Sequence, residues 1–374
     1  MTSTWIWQQP NWPLFSWSEA ALAPRLRDVR LKSGVLTGKA TANQPQDSQQ
    51  ALDTLLQSIV ASSAIENETL NVQSVRSSLA RRLNVTEEHP YPVSEQSEGL
   101  AAMIVDAIQG YQQPLTLERL LQWHAWLFPD EAGMLAGHSL KVGQLRGDEP
   151  MQVVSGRLDK PKVHFEAPPR DTLAAKLDQF IGWFNHSCNE QTLDPILRAA
   201  LCHLWFVTLH PFEDGNGRIT RALTDMALAQ ADNQSIRLYA MSVAILERRN
   251  DYYRILEQTQ RGNLDVTAWV VWFLDTLEQT LDHAMAAIDG TLQKTRFWRE
   301  HQDAGLSPEQ IKVLNRLLDG GERGFEEGIS ASQYQKVAKV SKATATRHLA
   351  DLLQKGCIDK LPGGGRSTRY QIKR

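Results

Sequence analysis

Cysteine is scarce in this sequence: Cys188, Cys202 and Cys357 are the three in 374 residues, and they lie far apart. That spacing argues against a disulfide framework or a cysteine metal site, and a cytoplasmic, reducing location is the expectation. Long apolar runs are missing as well. None approaches the roughly 18 residues that a membrane span requires, so no membrane partner is expected. The opening MTSTWIWQQPNWP has no basic region followed by an apolar stretch, so no signal peptide is read there. Net charge is small, −3, which by itself selects no partner. Internal repeats and low-complexity tracts are absent too. What is present is a hydrophobic content of 42%, enough to bury a core, over a length that suits two or three domains.

The first seventeen residues hold Trp5, Trp7, Trp12 and Trp17, interleaved with Pro10 and Pro13. Large aromatic side chains beside prolines predict an extended arm packed onto the following helices rather than a free tail. After the polar break NQPQDSQ (43–49), Leu52, Leu55, Leu56, Ile59 and Val60 recur at helical spacing, predicting a helix that ends near Asn67. Further helical patterns cover VQSVRSSLARRL and 96–130, separated by the loop HPYPVSE (89–95). MQVVSGRLDKPKVHFEAPP predicts a β-hairpin with short arms, Val153–Val154 and Val163–Phe165, and GRLDKP as the turn. Asp194–Pro195 is a helix start, a cap followed by a first-turn proline. The helix PILRAALCHLWFVTL that follows is apolar almost all round and is therefore expected at the centre. Helices continue from 217 to about 300.

HPFEDGNGRITR (210–221) carries the chemistry. The central helix delivers His210 at its exit, and Pro211 stops it. Phe212 is expected as a core anchor. Gly215, Asn216 and Gly217 permit a tight turn whose converging amides bind anions, and the next helix adds its amide end there. Arg218 and Arg221 share one face of that helix. Cations at a helix N-terminus are unfavourable by roughly 0.3–1 kcal/mol each when exposed, a sign that a bound polyanion would reverse. An imidazole base, the Asp214 carboxylate for Mg²⁺, an amide nest and two guanidiniums suit phosphoryl or nucleotidyl transfer. The pattern is not a Walker A loop.

The stretch resembles, in full, the signature HPFx[DE]GNGRxxR of the Fic family, whose members are mostly helical and in most cases transfer AMP from ATP to a protein hydroxyl. The resemblance implies that His210 is the general base toward a target Ser, Thr or Tyr, and that Asp214 coordinates Mg²⁺. It implies an anion hole from Gly215, Asn216 and Gly217, phosphate contacts from Arg218 and Arg221, and a nucleotide-binding stretch that includes Ile219 and Thr220. The hairpin, with Val153, Val154, Ser155 and Gly156, resembles the family's flap, which would pair with a target segment by β-augmentation. NDYYRILEQTQRG resembles the segment lining the adenine pocket, with Tyr252 and Gln260 as candidates. The opening WIWQQPNWPLFSW resembles a Trp-rich module on a bacterial subgroup that often ends in a winged helix.

On a helical wheel Leu55, Ile59 and Glu66 fall within about 40° of one another. Glu66 thus continues an apolar stripe, where a carboxylate needs a cationic partner, and Ser62 lies one turn earlier. SSAIEN (62–67) resembles the family's inhibitory motif [ST]xxxE[GN], which implies that Ser62, Glu66 and Asn67 form an autoinhibitory element and that Glu66 pairs with Arg221. Some family members use this glutamate to reverse the reaction.

From Ile329 to Arg374 there are ten Lys and Arg against two Asp, a basic stretch of about +8 within a chain of −3. Helix, turn, helix and a hairpin around three glycines predict a winged helix. Lys342, Thr344, Thr346 and Arg347 start its recognition helix, and Arg366 and Arg369 flank its wing; DNA and protein contact both remain open as its role. The expected fold class is mainly α: a Fic helical core with a β-hairpin flap, plus a C-terminal winged helix. The expected division is 1–100 (Trp-rich region with the inhibitory helix), 101–300 (catalytic core and following helices) and 305–374 (winged helix). The expected function is a protein adenylyltransferase using ATP and Mg²⁺ on a target protein or itself. The alternative is a nucleotide-sensing, DNA-binding transcriptional regulator. Partners are a protein bearing Ser, Thr or Tyr and DNA through the winged helix, with a homodimer as an alternative to a monomer.

Overall fold

Capping side chains set several helix starts, and Pro195 and Pro308 stand in the first turns of their helices. The computed structural model describes residues 5–41, 47–129, 134–135, 138–157, 160–234, 238–319, 325, 327–362 and 368–373. Two compact units, Met1–Ala284 and Met285–Arg374, divide the chain.

In the first unit α1 (Glu19–Thr41) is tied to a later helix by ion pairs of Arg25 with Asp275 and of Lys32 with Glu278 and Asp282. Then come α2 (Asp47–Ile65), α3 (Val72–Arg82), α4 (Glu95–Gln109) and α5 (Leu117–Leu127). Asn71, Ser94 and Thr116 cap the last three, their side chains accepting first-turn amides. The helical pattern expected over 96–130 is thus two helices. Pro114 supplies no amide and disfavours helix in the residue before it, and Thr116 starts the next helix afresh. A short antiparallel pair follows, β1 (Met134–Leu135) with β2 (His138–Ser139), which the sequence reading did not anticipate.

The hairpin is β3 (Gln152–Arg157) with β4 (Lys160–Glu166). It is longer than the short arms expected: pairing runs through Gly156↔Pro161 to Arg157↔Lys160, and a register shift falls between Val153 and Val154. Pro161 is tolerated because a two-stranded ribbon is all edge. Next come α6 (Arg170–Ser187), α7 (Pro195–Leu209), α8 (Asn216–Asp232), α9 (Met241–Glu247), α10 (Arg249–Gln260) and α11 (Thr267–Glu300), the last running on past Ala284 into the second unit. Every residue of α7 from Ile196 to Leu209 is buried, as its all-round apolar sequence requires, and Asp194 caps it by accepting the amides of Ile196 and Leu197. α7 packs along α8, and α8 along α4, so the loop between α7 and α8 is held from several sides.

The tryptophan arm is packed, as expected, and the surfaces it meets lie far along the chain. Trp5 lies edge-on to Phe165 at 5.4 Å, and Trp7 Nε1 donates to the Glu166 carbonyl, both on β4. Trp12 and Phe15 lie edge-on to Trp205 of α7 at 6.2 and 6.0 Å. A short arm has no apolar stripe of its own. It finds its surface wherever the tertiary fold offers aromatic edges, and local periodicity does not report this.

The second unit contains α12 (Pro308–Leu318), β5 (Ile329–Ser330), α13 (Ala331–Ala338), α14 (Lys342–Gln354), β6 (Ile358–Lys360) and β7 (Arg369–Ile372). Its sheet order is β5-β7-β6, antiparallel throughout, over a core that includes Val313, Leu314, Tyr334, Leu349 and Leu352. The mainly helical architecture with a hairpin and a winged helix agrees with the expected class; β5, too short to announce itself in sequence, completes the small sheet.

Candidate active site

His210 caps α7 in the left-handed conformation, φ 49° and ψ 58°. That is an uncommon backbone for a non-glycine residue, and it turns the chain sharply into the loop. Its Nδ1 lies 3.1 Å from the Val207 carbonyl and so carries the proton, which leaves Nε2 as the basic nitrogen. Burial pushes its pKa below the ordinary histidine value, against the Val207 bond, and the nearby Arg146 charge adds to that lowering. The imidazole is therefore neutral at neutral pH. It lines a cavity of about 750 Å³ whose wall also includes Asp214 and the Gly215–Gly217 turn.

Arg146, which nothing in the sequence singled out, fixes this corner. Its Nε donates to the His210 carbonyl at 2.9 Å, its amide to the Pro211 carbonyl at 3.0 Å, and Nη2 to the Pro168 carbonyl. Burial lowers its pKa to about 10, so it stays charged. Phe212 is fully buried and stacks on His124, ring centroids 4.3 Å apart, in the anchoring place expected for it.

The turn is closed by Asn216. Its side chain accepts from the Phe212 amide and donates to the Phe212 carbonyl, at 2.9 and 2.8 Å. The side chain thus shapes the loop, which leaves the backbone to face the cavity. Gly215 has φ +78° at the cap of α8. At Gly217 an added Cβ would stand 2.1 Å from Glu66 Oε1, so any larger residue would push the Glu66 carboxylate aside. Asp214 is half-exposed; its Oδ1 accepts the Gly215 amide at 2.6 Å. Ile219 and Thr220 are buried and face the core; the Thr220 hydroxyl donates to the Asn216 carbonyl.

Both arginines are paired with carboxylates. Arg221 Nη2 is 2.9 Å from Glu66 Oε1, and its Nε and Nη2 donate to the Ser62 hydroxyl and carbonyl, each at 2.8 Å. Burial alone would raise the Glu66 pKa, but Arg221, helped by Arg218 and the Tyr253 hydroxyl, holds it below the usual carboxylate value. Glu66 is not on the helix as expected: α2 ends at Ile65, and Glu66 sits in a following turn with its amide bonded to the Ser63 carbonyl. That turn preserves the expected face. Asn67 takes φ +62° and reverses the chain, and the Glu68 amide returns to the Ser63 carbonyl, a Schellman-type end. The reversal delivers a second carboxylate that the sequence reading missed: Glu68 Oε2 lies 2.7 Å from Arg218 Nη1. Arg218 also lies over the Phe128 ring at 5.0 Å. Arg221 Nη1 and Arg218 Nε are buried without a hydrogen-bond partner among the described residues.

Tyr252 and Gln260 both line the cavity, but their polar atoms point inward: the Tyr252 hydroxyl is 2.8 Å from His203 Nε2, and Gln260 Nε2 donates to the Thr208 hydroxyl at 3.1 Å. The neighbouring Tyr253 is 38% exposed at the cavity, its hydroxyl 3.3 Å from Glu66 Oε2, and no local pattern singles it out. Val153, Val154 and Ser155 of the hairpin line the same cavity. Gly156, at φ +97°, pairs with Pro161 farther along the ribbon.

In the second unit Lys342, Thr346 and Arg347 are exposed on the first turns of α14, while Thr344 takes part in the Ser341 cap. Arg369 Nη1 donates to the Gly328 carbonyl at 3.0 Å, which ties it to the sheet. Arg366 lies outside the described residues.

Comparison with known proteins adds two matched regions. Residues 114–228 match the Fic/DOC family, and residues 5–85 match a domain of unknown function, DUF4172. The chain is 29% identical over 266 residues to a protein from Drosophila yakuba named protein adenylyltransferase Fic, covering 69% of this chain and 48% of the relative. A Drosophila virilis protein of the same name is 29% identical over 276 residues, covering 71% and 51%. The chain thus spans about half the length of the curated relatives it matches. Among solved structures, a Fic family protein from Desulfovibrio desulfuricans superposes with a TM-score of 0.51 at 20% identity, over 93% of this chain and 96% of that one. A Fic-domain signaling protein from Bacteroides thetaiotaomicron gives 0.52 at 21%, over 71% and 97%. At these identities the structures establish the shared fold.

Proposed function

This is a Fic/DOC family protein with an N-terminal DUF4172 domain, and from that premise we propose that it transfers AMP from ATP to a Ser, Thr or Tyr hydroxyl of a protein. The observation that carries the reading is one cavity lined by a neutral His210, its proton on Nδ1, and by the Gly215–Gly217 turn at the amide end of α8. In the step, the acceptor hydroxyl gives its proton to His210 Nε2 while its oxygen bonds to the α-phosphorus. The bond from that phosphorus to the bridging oxygen breaks, and pyrophosphate leaves. The Gly215–Gly217 turn and the two arginines bind phosphate oxygens, so charge moving toward the leaving group meets donors already in place. Asp214, half-exposed on the cavity wall, fits the single carboxylate that Mg²⁺ needs beside phosphate oxygens. Bound there, the ion would neutralise phosphate charge.

The ground state is held off. Glu66 occupies Arg221 and closes on the Gly217 Cα, so a nucleotide engages Arg221 only when this pair opens. Incubation with labelled ATP, Mg²⁺ and a lysate tests the reading. Label should pass to lysate proteins, rise in Glu66→Gly and vanish in His210→Ala. Absence of transfer in both wild type and Glu66→Gly rejects it.

A second, compatible role has its own support: α14 presents Lys342, Thr346 and Arg347 to solvent on a unit of winged-helix form, which suits DNA phosphates and base edges. A gel shift with genomic fragments that is retained by the full chain and lost on truncation before Leu306 would support DNA binding. Equal shifts would reject it.

A further inference from the structure

The flap carries a constellation that the proposed reaction does not use. Ser155 Oγ on β3 is 2.6 Å from His164 Nε2 on β4, and His164 Nδ1 is 2.7 Å from Glu257 Oε2 on α10. A carboxylate on one ring nitrogen and a hydroxyl on the other fix the tautomer: Nδ1–H donates to Glu257, and Nε2 accepts the Ser155 proton. That relay is the arrangement which turns a serine into a nucleophile. Burial alone would raise the Glu257 pKa, but His164, Lys162 and Arg261 hold it below the carboxylate value; Arg261 Nε is 3.2 Å from Glu257 Oε1. The acid is thus ionised at neutral pH. A mere staple between strands is not needed here, because backbone pairing already joins Ser155 to Lys162. Ser155 is exposed, and Ser155, His164 and Glu257 line the same cavity as His210 and the Gly215–Gly217 turn.

We propose that Ser155 is a self-modification site, its hydroxyl activated by His164 and Glu257 to accept AMP from the nucleotide held at α8. This rests on the nucleotidyl-transfer reading above. The Ser155 Oγ–Pα bond forms, the bond from Pα to the bridging oxygen breaks, and pyrophosphate departs with the electron pair. The hydroxyl proton moves to His164 Nε2, and the resulting imidazolium faces Glu257 until it releases the proton to water. The product places an AMP group on the strand that an incoming target segment would pair with, so modification limits further transfer to targets.

The test uses the full chain carrying Glu66→Gly, incubated with ATP and Mg²⁺ and with a lysate, then digested with trypsin. Cleavage after Arg146 and Arg157 releases GDEPMQVVSGR, in which Ser155 is the one hydroxyl side chain, so an AMP adduct on this peptide locates the site. The adduct is expected in Glu66→Gly and absent in Glu66→Gly/Ser155→Ala. A further His164→Gln substitution keeps an acceptor for the Ser155 hydroxyl but removes the base, and should slow the adduct about 100-fold or more. Label on lysate proteins with this peptide unmodified overturns the proposal and leaves the transfer reading standing. No label anywhere overturns both. An adduct formed equally fast with Gln at 164 shows that the relay is only a strand contact, and rejects the proposed activation.

Discussion

Replacing Glu66 by glycine should make the protein less stable when empty and let nucleotide stabilise it more than it stabilises the wild type under the same conditions. Arg221 is 3% exposed and Glu66 33% exposed, so the pair lies between a fully buried bridge and a surface one. Breaking a buried pair costs about 3–5 kcal/mol, and a surface pair is worth up to about 1, so about 2 kcal/mol is the loss expected here. For the unit Met1–Ala284 that lowers Tm by about 3 °C. The same 2 kcal/mol no longer opposes a phosphate at Arg221, which strengthens its binding about 30-fold. At Mg-ATP about 100 times the variant's Kd, the variant recovers about 2.7 kcal/mol, whereas the wild type at that concentration gains about 0.9. Melting curves with and without Mg-ATP read both quantities, and labelling at subsaturating ATP should rise by about the same 30-fold. A variant that melts above the wild type when empty, or that gains no more from Mg-ATP, would refute the latch.

The remaining expectations concern the groups around that pair. Gly217→Ala drives a Cβ into Glu66 Oε1, so it should cost about 1–3 kcal/mol in the wild type and well under half of that in Glu66→Gly; equal losses in a double-mutant cycle of melting curves would reject the contact. Glu68→Gln frees Arg218 from its carboxylate; with Glu68 about a quarter exposed, roughly 1 kcal/mol is at stake, and labelling at subsaturating ATP should rise about 5-fold, with no rise rejecting the second latch. Burial holds His203 at about 3 and His124 at about 4, both below the ordinary 6.5. Below pH 6.5 the unfolded chain therefore binds protons that the folded one refuses. Stability should fall with acidification, by at most about 1.4 kcal/mol per pH unit per histidine. Glu66 has the opposite kind of group but the same outcome: its contribution is intact above 4.5, its ordinary value, and is lost as pH falls below that. Denaturant melts between pH 7 and 4 check this, and a flat stability there would contradict the burial.

The loop at 210–221 was legible because its logic is local. Histidine before proline, glycines flanking an asparagine, and arginines three apart specify a turn and a helix start within twelve residues, whatever surrounds them. The same holds for α7, whose almost wholly apolar sequence places it at the centre, and for the cap at Asp194. Glu66 was half legible. The wheel identified the face, and the Schellman-type reversal at Asn67 still presents that face although the helix stops at Ile65. The partner, Arg221, lies 155 residues away and entered only through resemblance to a family.

What the sequence by itself determined is therefore everything encoded within a turn or two of chain: the helix periodicities, their stops, the tight turn at Gly215–Gly217 and the basic character of the C-terminal unit. Tertiary structure alone decided the pairings between remote segments. These are Glu68 with Arg218, Arg146 with the His210 corner, Tyr253 rather than Tyr252 at the open cavity, the tryptophan arm against β4 and α7, and Ser155 with His164 and Glu257. The reason is physical. Backbone sterics and hydrogen bonding act between neighbours and leave a repeating signature, whereas a contact between distant side chains depends on how whole helices pack, and no local pattern carries that information.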